Sequence, residues 1–169
     1  MELLSPAGSF DALKAAVQNG ADAVYLGLKE YSARSSAENF TRDSLREAVF
    51  YCHTRGVKVH LALNTLMDEA ALDSATAAGC FAQEVGVDAL IVQDLGLAKR
   101  LRACCTLPLH ASTQMTVYNP VGLAQVRELG FKRCIPAREL SLAEIKQLCD
   151  TGLAEIEVFG HGALCMGYS

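Results

Sequence analysis

No stretch of this chain approaches the ~20 consecutive apolar residues that a helix needs to cross a bilayer. The amino terminus, Met1 to Pro6, also lacks the basic segment followed by an apolar run that marks a secretory leader. The expectation is a soluble, cytoplasmic protein with no membrane partner. A strong excess of either charge sign is missing as well: the formal net charge is −4 and the pI is near 5.5. No bulk field therefore draws the chain to nucleic acid, although a local basic patch remains compatible with a mildly acidic protein. Seven cysteines are many for 169 residues, yet they lack the look of a disulfide framework. Their number is odd, Cys104 and Cys105 are adjacent, and Cys52, Cys80 and Cys149 fall in apolar helical settings, so most are expected to be buried thiols. There is no His-Glu-x-x-His helix for zinc, no Gly-x-Ser-x-Gly nucleophile elbow and no acidic calcium loop. Ordinary proteolytic chemistry normally needs one of these or a Cys–His pair with an orienting amide, so the sequence gives a protease mechanism little support.

What is present is an alternation. The chain is 51% hydrophobic, enough for one domain over residues 1–169 with a real core. Short β-rich runs at 3–5, 23–26, 58–63, 89–93, 109–112, 133–136 and 156–159 predict seven strands. Between them, segments 10–19, 42–55, 69–84, 97–103, 121–129 and 142–150 carry apolar residues at three- and four-residue spacing, the pattern of helices covering a sheet. Ser9, Thr41 and Ser141 stand as N-caps, the last with Glu144 three residues on, while Gly20, Gly56, Gly86, Gly130 and Gly152 mark helix ends.

Alternating strands and helices imply parallel strands with right-handed crossovers, in either an open doubly wound sheet or a barrel. Two observations favour the barrel. Polar residues (Asn64, Asp94, Gln114, Arg138, His161) recur at the carboxyl ends of successive strands, and no Gly-x-Gly-x-x-Gly loop follows the first. The predicted fold class is α/β: a parallel, TIM-like (β/α) barrel truncated after the seventh strand, where a complete barrel has eight units in about 250 residues. Open edges at the first and seventh strands would favour self-association.

The richest segment is Glu157-Val-Phe-Gly-His161-Gly162-Ala-Leu-Cys165-Met-Gly-Tyr-Ser169, where a strand runs into a Gly-rich loop carrying a carboxylate, an imidazole and a thiol. Cys165 has two readings: a nucleophile activated by His161, or a thiolate ligand to a metal cluster. His161 is open to roles as general base, as a group steadying a ligand, as a substrate donor, or as a histidine simply bonded to backbone. If the strand continues, Glu157, Phe159 and His161 share a face, and a carboxylate pointing into a barrel requires a cationic partner. Arg138, at the end of the sixth strand, is the expected partner of Glu157 or of substrate. Asn64, Asp94, His110, Thr113 and Gln114 are candidates by strand-end position, while Arg34 and Asn39-Phe40 lie in a long loop after the second strand.

This segment resembles the signature of the collagenase-like peptidases, Peptidase family U32: Glu-x-Phe-x-x-Gly-Ser/Ala-aliphatic-Cys, four residues, then Gly-x-Cys. Glu157, Phe159, Gly162, Ala163, Leu164 and Cys165 match in order, Met166 to Ser169 fill the spacer, and the closing Gly-x-Cys would follow the last residue. Earlier blocks are similar to the family's in the same order: Glu2-Leu-Leu-Ser-Pro-Ala-Gly8-Ser, Gly20-Ala-Asp-Ala-Val-Tyr-Leu-Gly27, Val92-Gln-Asp94, His110-Ala-Ser-Thr-Gln114 and Ala137-Arg138-Glu139-Leu-Ser141. Gly160 and Ile135-Pro136 depart from the usual pattern. The resemblance implies a barrel, and two kinds of activity: collagenase-like proteolysis, or iron–sulfur-dependent hydroxylation of RNA pyrimidines, with related members acting on the ubiquinone ring. It further implies that Cys165 begins a cysteine set holding a cluster, most simply 4Fe–4S, in the full-length protein. At most one of that set is present here, so no cluster is expected on these residues alone.

The leading expectation is a tRNA or rRNA pyrimidine C5 hydroxylation enzyme. Cys165 would hold the cluster, His161, Glu157 and Arg138 would serve the chemistry, and Gln114, His110, Arg34 and Asn64 would bind substrate. The alternatives are a protease acting on collagen-like or unfolded peptides, and an inactive barrel fragment or scaffold.

Overall fold

A computed structural model describes residues 1–29 and 38–162 of the chain. The alternation read from the sequence is realised as β1 (Leu4–Pro6), α1 (Phe10–Gln18), β2 (Ala23–Gly27), α2 (Arg42–His53), β3 (Lys58–Leu63), α3 (Glu69–Glu84), β4 (Ala89–Val92), α4 (Leu95–Cys104), β5 (Leu109–Ala111), α5 (Pro120–Glu128), β6 (Arg133–Cys134), α6 (Leu142–Asp150) and β7 (Glu155–Ile156). Each helix begins on a side chain that accepts an otherwise orphaned amide hydrogen: Ser9, Thr41, Asp68, Asp94, Asn119 and Ser141. Thr41 and Ser141 complete capping boxes with Ser44 and Glu144. At the end of α5, Gly130 takes a left-handed φ of 90°, and a Cβ there would clash with the guanidinium of Arg102, whose Nη1 donates to the Gly130 carbonyl at 3.0 Å.

All strand pairs are parallel, in the order β1-β2-β3-β4-β5-β6-β7. Curvature follows from one contact. Glu2, just before β1, pairs with Arg133 on β6 at 2.7 Å. In a flat sheet, positions five strands apart are separated by about 24 Å, so this pair can form only if the sheet curls into an open barrel wall. Among the described residues β1 pairs only with β2, and β7 only with β6.

Strand alternation separates two environments. Outward positions such as Val59, Leu61, Leu63, Leu90, Val92 and Leu109 are buried in one continuous core with the helices. Inward positions form a second small apolar cluster of Ala62, Ile91 and Ile135, with Tyr25 packed on it. The polar inward residues are described with the site below.

Among the strands, β6 and β7 fall furthest short of the predicted ends. β6 stops at Cys134 instead of reaching 136, because Pro136 has no amide hydrogen to offer a ladder. β7 covers Glu155–Ile156 rather than 156–159, since its partner strand has ended; the last ladder bond is Glu157 N–H to the Cys134 carbonyl at 3.0 Å. The expected single face of Glu157, Phe159 and His161 does not form: Glu157 is turned inward, whereas Phe159 and His161 are exposed. The thiols also differ from expectation. Cys52 and Cys134 are buried, but Cys80 and Cys105 are only half-buried, and Cys104 and Cys149 lie exposed near helix carboxyl ends. Among the described residues no helix is long and apolar enough to cross a membrane.

Leu61 is fully buried between sheet and helices, whereas Leu66 is 79% exposed on a loop. Replacing Leu61 by Ala is expected to cost about 2–5 kcal/mol in urea unfolding of the protein, and Leu66→Ala to stay within about 0.5 kcal/mol of the parent. Equal effects at the two positions would contradict this packing.

Candidate functional site

β6 contributes Cys134 to the helix side, so Arg133 is directed into the lumen. Its guanidinium is the hub of the polar interior. Nη1 donates to Glu2 Oε1 at 2.7 Å and to Glu157 Oε2 at 3.1 Å, while Nε and Nη2 donate to Glu155 Oε2 at 2.9 and 2.7 Å. Lys58 Nζ, on β3, donates to the other Glu2 oxygen at 2.9 Å. Burial alone would raise the Glu2 carboxyl, but hydrogen bonds from Lys58 and Arg133 outweigh it and hold the pKa down to about 2. Burial dominates at Glu157, whose pKa is raised despite its bond to Arg133. Burial also opposes the Arg133 charge, yet its three carboxylate partners keep the group firmly protonated.

Next to this network stand two histidines from strands two places apart, His60 on β3 and His110 on β5. They are 2% and 4% exposed, and their rings meet edge to face with centroids 4.9 Å apart. Burial, with the positive field of Arg133, lowers His60 to about 4. Burial, with His60 and Arg133, lowers His110 to about 3. The Nδ1 atom of each is buried without a hydrogen-bond partner among the described residues. His60, His110 and Glu157 are also the group whose ligand atoms come within 4.8 Å of one another.

The second tier is the rim at the carboxyl ends of the strands. Asn64 Nδ2 donates to Gln114 Oε1 at 2.9 Å, and Ser112 Oγ lies 3.3 Å from the same oxygen. Thr113 Oγ1 donates to the Pro136 carbonyl at 3.1 Å, tying the loop after β5 to the loop after β6. There the Arg138 guanidinium lies 4.2 Å over the Phe159 ring, beside a hollow of about 230 Å³ lined by Pro136, Ala137, Leu140, Ile145 and Val158. A larger hollow of about 530 Å³ lies between α2 and α3, among Arg46, Phe50, His53 and Glu84. It is a groove on the outer helix surface, remote from the strand ends, and has no convergent polar constellation.

The structure thus brings Gln114, Asn64 and Arg138 to one rim, and places His110 and Glu157 inside the lumen. His161 is exposed in the segment that follows β7. Arg34 and Cys165 lie outside the described residues. Asp94 caps α4 through Leu97 N–H at 2.8 Å and accepts from Met67 N–H at 3.3 Å, so it braces the loop. Asn39 and Phe40 are held structurally: the Asn39 N–H donates to the Gly8 carbonyl, and Phe40, 2% exposed, donates its N–H to the Gly27 carbonyl. One expectation is corrected: the cation that partners Glu157 is Arg133, not Arg138. The loop after β6 carries Arg138 past Pro136 to the rim, while β6 itself aims Arg133 at the carboxylate. His60, Arg133, Glu2 and Glu155 were not singled out by strand-end position; the inward phase of β3 (Lys58, His60, Ala62) and β6 (Arg133, Ile135) was the available signal.

The lumen fixes a pH dependence. An unfolded histidine titrates near 6.5, whereas His60 and His110 resist protonation until about 4 and about 3. Between those limits the unfolded chain binds more protons, so stability falls as pH drops, by up to about 1.4 kcal/mol per pH unit for each histidine. Glu157, held above 4.5, opposes part of this loss, and Glu2 adds to it from 4.5 down to about 2. Urea midpoints taken with a chelator present should therefore decline from pH 6.5 to 4; a flat profile would contradict neutral buried imidazoles.

The chain is similar to proteins of known families along its whole length. The description of Peptidase family U32 matches residues 8–169. An uncharacterized protease from Methanocaldococcus jannaschii is 42% identical over 100% of this chain and 42% of its own length. The 23S rRNA 5-hydroxycytidine C2501 synthase of Escherichia coli is 38% identical over 100% of this chain and 25% of its own length. A tRNA hydroxylation protein of Bacillus subtilis is 36% identical, with coverages of 99% and 40%. The chain spans less than half the length of each of these relatives. A solved U32 peptidase superposes with a TM-score of 0.77 at 15% identity, over 94% of this chain and 68% of that one, which supports the TIM-like fold. With the profile match covering nearly every residue and the signature Glu157, Phe159 and Gly162 in place, the chain belongs to Peptidase family U32.

Proposed function

We propose that the protein carrying this chain hydroxylates C5 of a pyrimidine in tRNA or rRNA. The observation that carries this reading is the rim, which holds an oriented amide pair and a cation stacked on an aromatic ring. Gln114 accepts from Asn64 and Ser112 through Oε1, which fixes the amide plane and leaves its Nε2 hydrogens to donate to a nucleobase edge. Single-stranded bases are recognised by such edge contacts together with stacking on flat cationic or aromatic groups. Arg138 over Phe159 supplies that surface and a charge for phosphate. The names of the rRNA and tRNA relatives agree with this substrate class.

An iron–sulfur cluster needs convergent thiolates, and the described cysteines do not provide them. Cys80 and Cys104 approach to 3.1 Å, but on the outer faces of α3 and α4, while Cys134 is buried against the helices. These thiols do not fit a four-cysteine cluster, and no chemical step is derived through one. In this proposal Cys165 is a cluster ligand, with the remaining thiolates supplied by the longer protein. The roles assigned to this chain's own residues are narrower: Asn64 and Gln114 would orient the base, Arg138 would hold the nucleotide, and His161 would exchange a proton with it.

The test is mass spectrometry of RNA from cells lacking the gene and complemented with the full-length protein or its variants. Gln114→Ala is expected to lower the 5-hydroxypyrimidine level about tenfold, the loss of one hydrogen bond of about 1.4 kcal/mol. Cys165→Ala should abolish the modification together with iron binding. Unchanged RNA, combined with Cys165-dependent cleavage of gelatin by the purified protein, would replace this reading by proteolysis; neither activity would favour a scaffold.

A further inference from the structure

Two imidazoles buried face to edge with unpartnered nitrogens are costly, since each orphaned polar atom forfeits its hydration without compensation. His60 and His110 carry that cost together, at 2% and 4% exposure, and their Nδ1 atoms have no hydrogen-bond partner among the described residues. β3, β5 and the residue following β7 bring these rings and the Glu157 carboxylate to one point, with ligand atoms within 4.8 Å of each other. We propose that His60, His110 and Glu157 form a binding site for a divalent first-row transition ion, Zn²⁺ or Fe²⁺, inside the barrel, with no thiolate in its donor set. This site does not depend on the rim reading or on any cluster.

Three features support it. Two imidazoles and one carboxylate are a donor set that zinc and ferrous iron accept readily, whereas calcium and magnesium prefer oxygen alone. Glu157 is already oriented from behind: its Oε2 accepts from Arg133 at 3.1 Å, leaving Oε1 for an ion, in the manner by which hydrogen-bonded carboxylates steady metal ligands. The surrounding charge also permits a cation. Glu2, Glu155 and Glu157 face Arg133 and Lys58, an excess of one negative charge within the network. Bonds of about 2.0–2.2 Å require donors roughly 3.3–3.6 Å apart in a tetrahedral site, so the rings must rotate inward by about an ångström on binding. Three protein ligands leave a coordination position for water or a substrate atom.

The experiment uses full-length protein with Cys165→Ser, stripped by chelator and reloaded with Zn²⁺. Zinc-edge X-ray absorption is expected to give nitrogen and oxygen ligands with imidazole scattering and no sulfur, at one zinc per chain by elemental analysis. Adding His110→Asn should lower the zinc content at least tenfold, with His60→Gln as a second variant if the first does not fold. Zinc retained in a folded histidine variant, a sulfur-dominated spectrum, or no zinc uptake at all would overturn the site. If instead the parent protein loses iron on Cys165→Ser while the zinc site persists, the two metal sites are independent; loss of RNA modification with an intact zinc site bears only on the rim.

Discussion

The Arg133 guanidinium holds Glu2, Glu155 and Glu157 around itself, and the geometry of the whole lumen follows from that. Strand β6 places the cation, the segment before β1 and the end of β7 bring carboxylates to it, and Lys58 on β3 completes the ring through Glu2. A charge so enclosed is tolerable only when its donors are satisfied, and Arg133 satisfies its own with three acceptors. Because Glu2 and Arg133 stand five strands apart, their contact also requires the sheet to curl.

Curling creates two tiers with different chemistry. Inside, the charged ring and the histidine pair lie next to the apolar cluster of Ala62, Ile91 and Ile135. At the strand ends, polar side chains reach outward from short loops, as they do in barrels whose activity resides on that face. Glu157 belongs to both tiers: it is an inward residue immediately after β7, and it leads toward the exposed His161. The link from fold to function therefore runs through β6 and β7, the shortest strands of the sheet.

Much of the architecture was legible in the sequence. The helices were read because apolar residues recur at helical spacing behind Ser9, Thr41 and Ser141, and because Gly20, Gly56, Gly86, Gly130 and Gly152 adopt the positive φ that ends a helix. The rim positions of Asn64, Gln114 and Arg138 followed from strand-end reasoning, whereas the Asn64–Gln114 hydrogen bond did not. The lumen was less legible for a physical reason. β6 and β7 have only two residues each in the ladder, too few for alternation to announce which side chain faces in. Arg133 consequently read as an ordinary strand residue, and the requirement for a cation near Glu157 was assigned to Arg138. His60 was hidden among the apolar neighbours of β3, where a single imidazole does not disturb a buried-strand pattern.

A double-mutant cycle on Glu2 and Arg133 measures the central contact directly. Glu2→Gln, Arg133→Met and the double variant would be compared by urea unfolding of the full-length protein. A curled, open barrel wall with this pair inside predicts a coupling energy of at least about 1.5 kcal/mol, in the range found for close charge pairs. Additivity within about 0.3 kcal/mol would mean that the two residues do not meet, and that the sheet does not curl around Arg133.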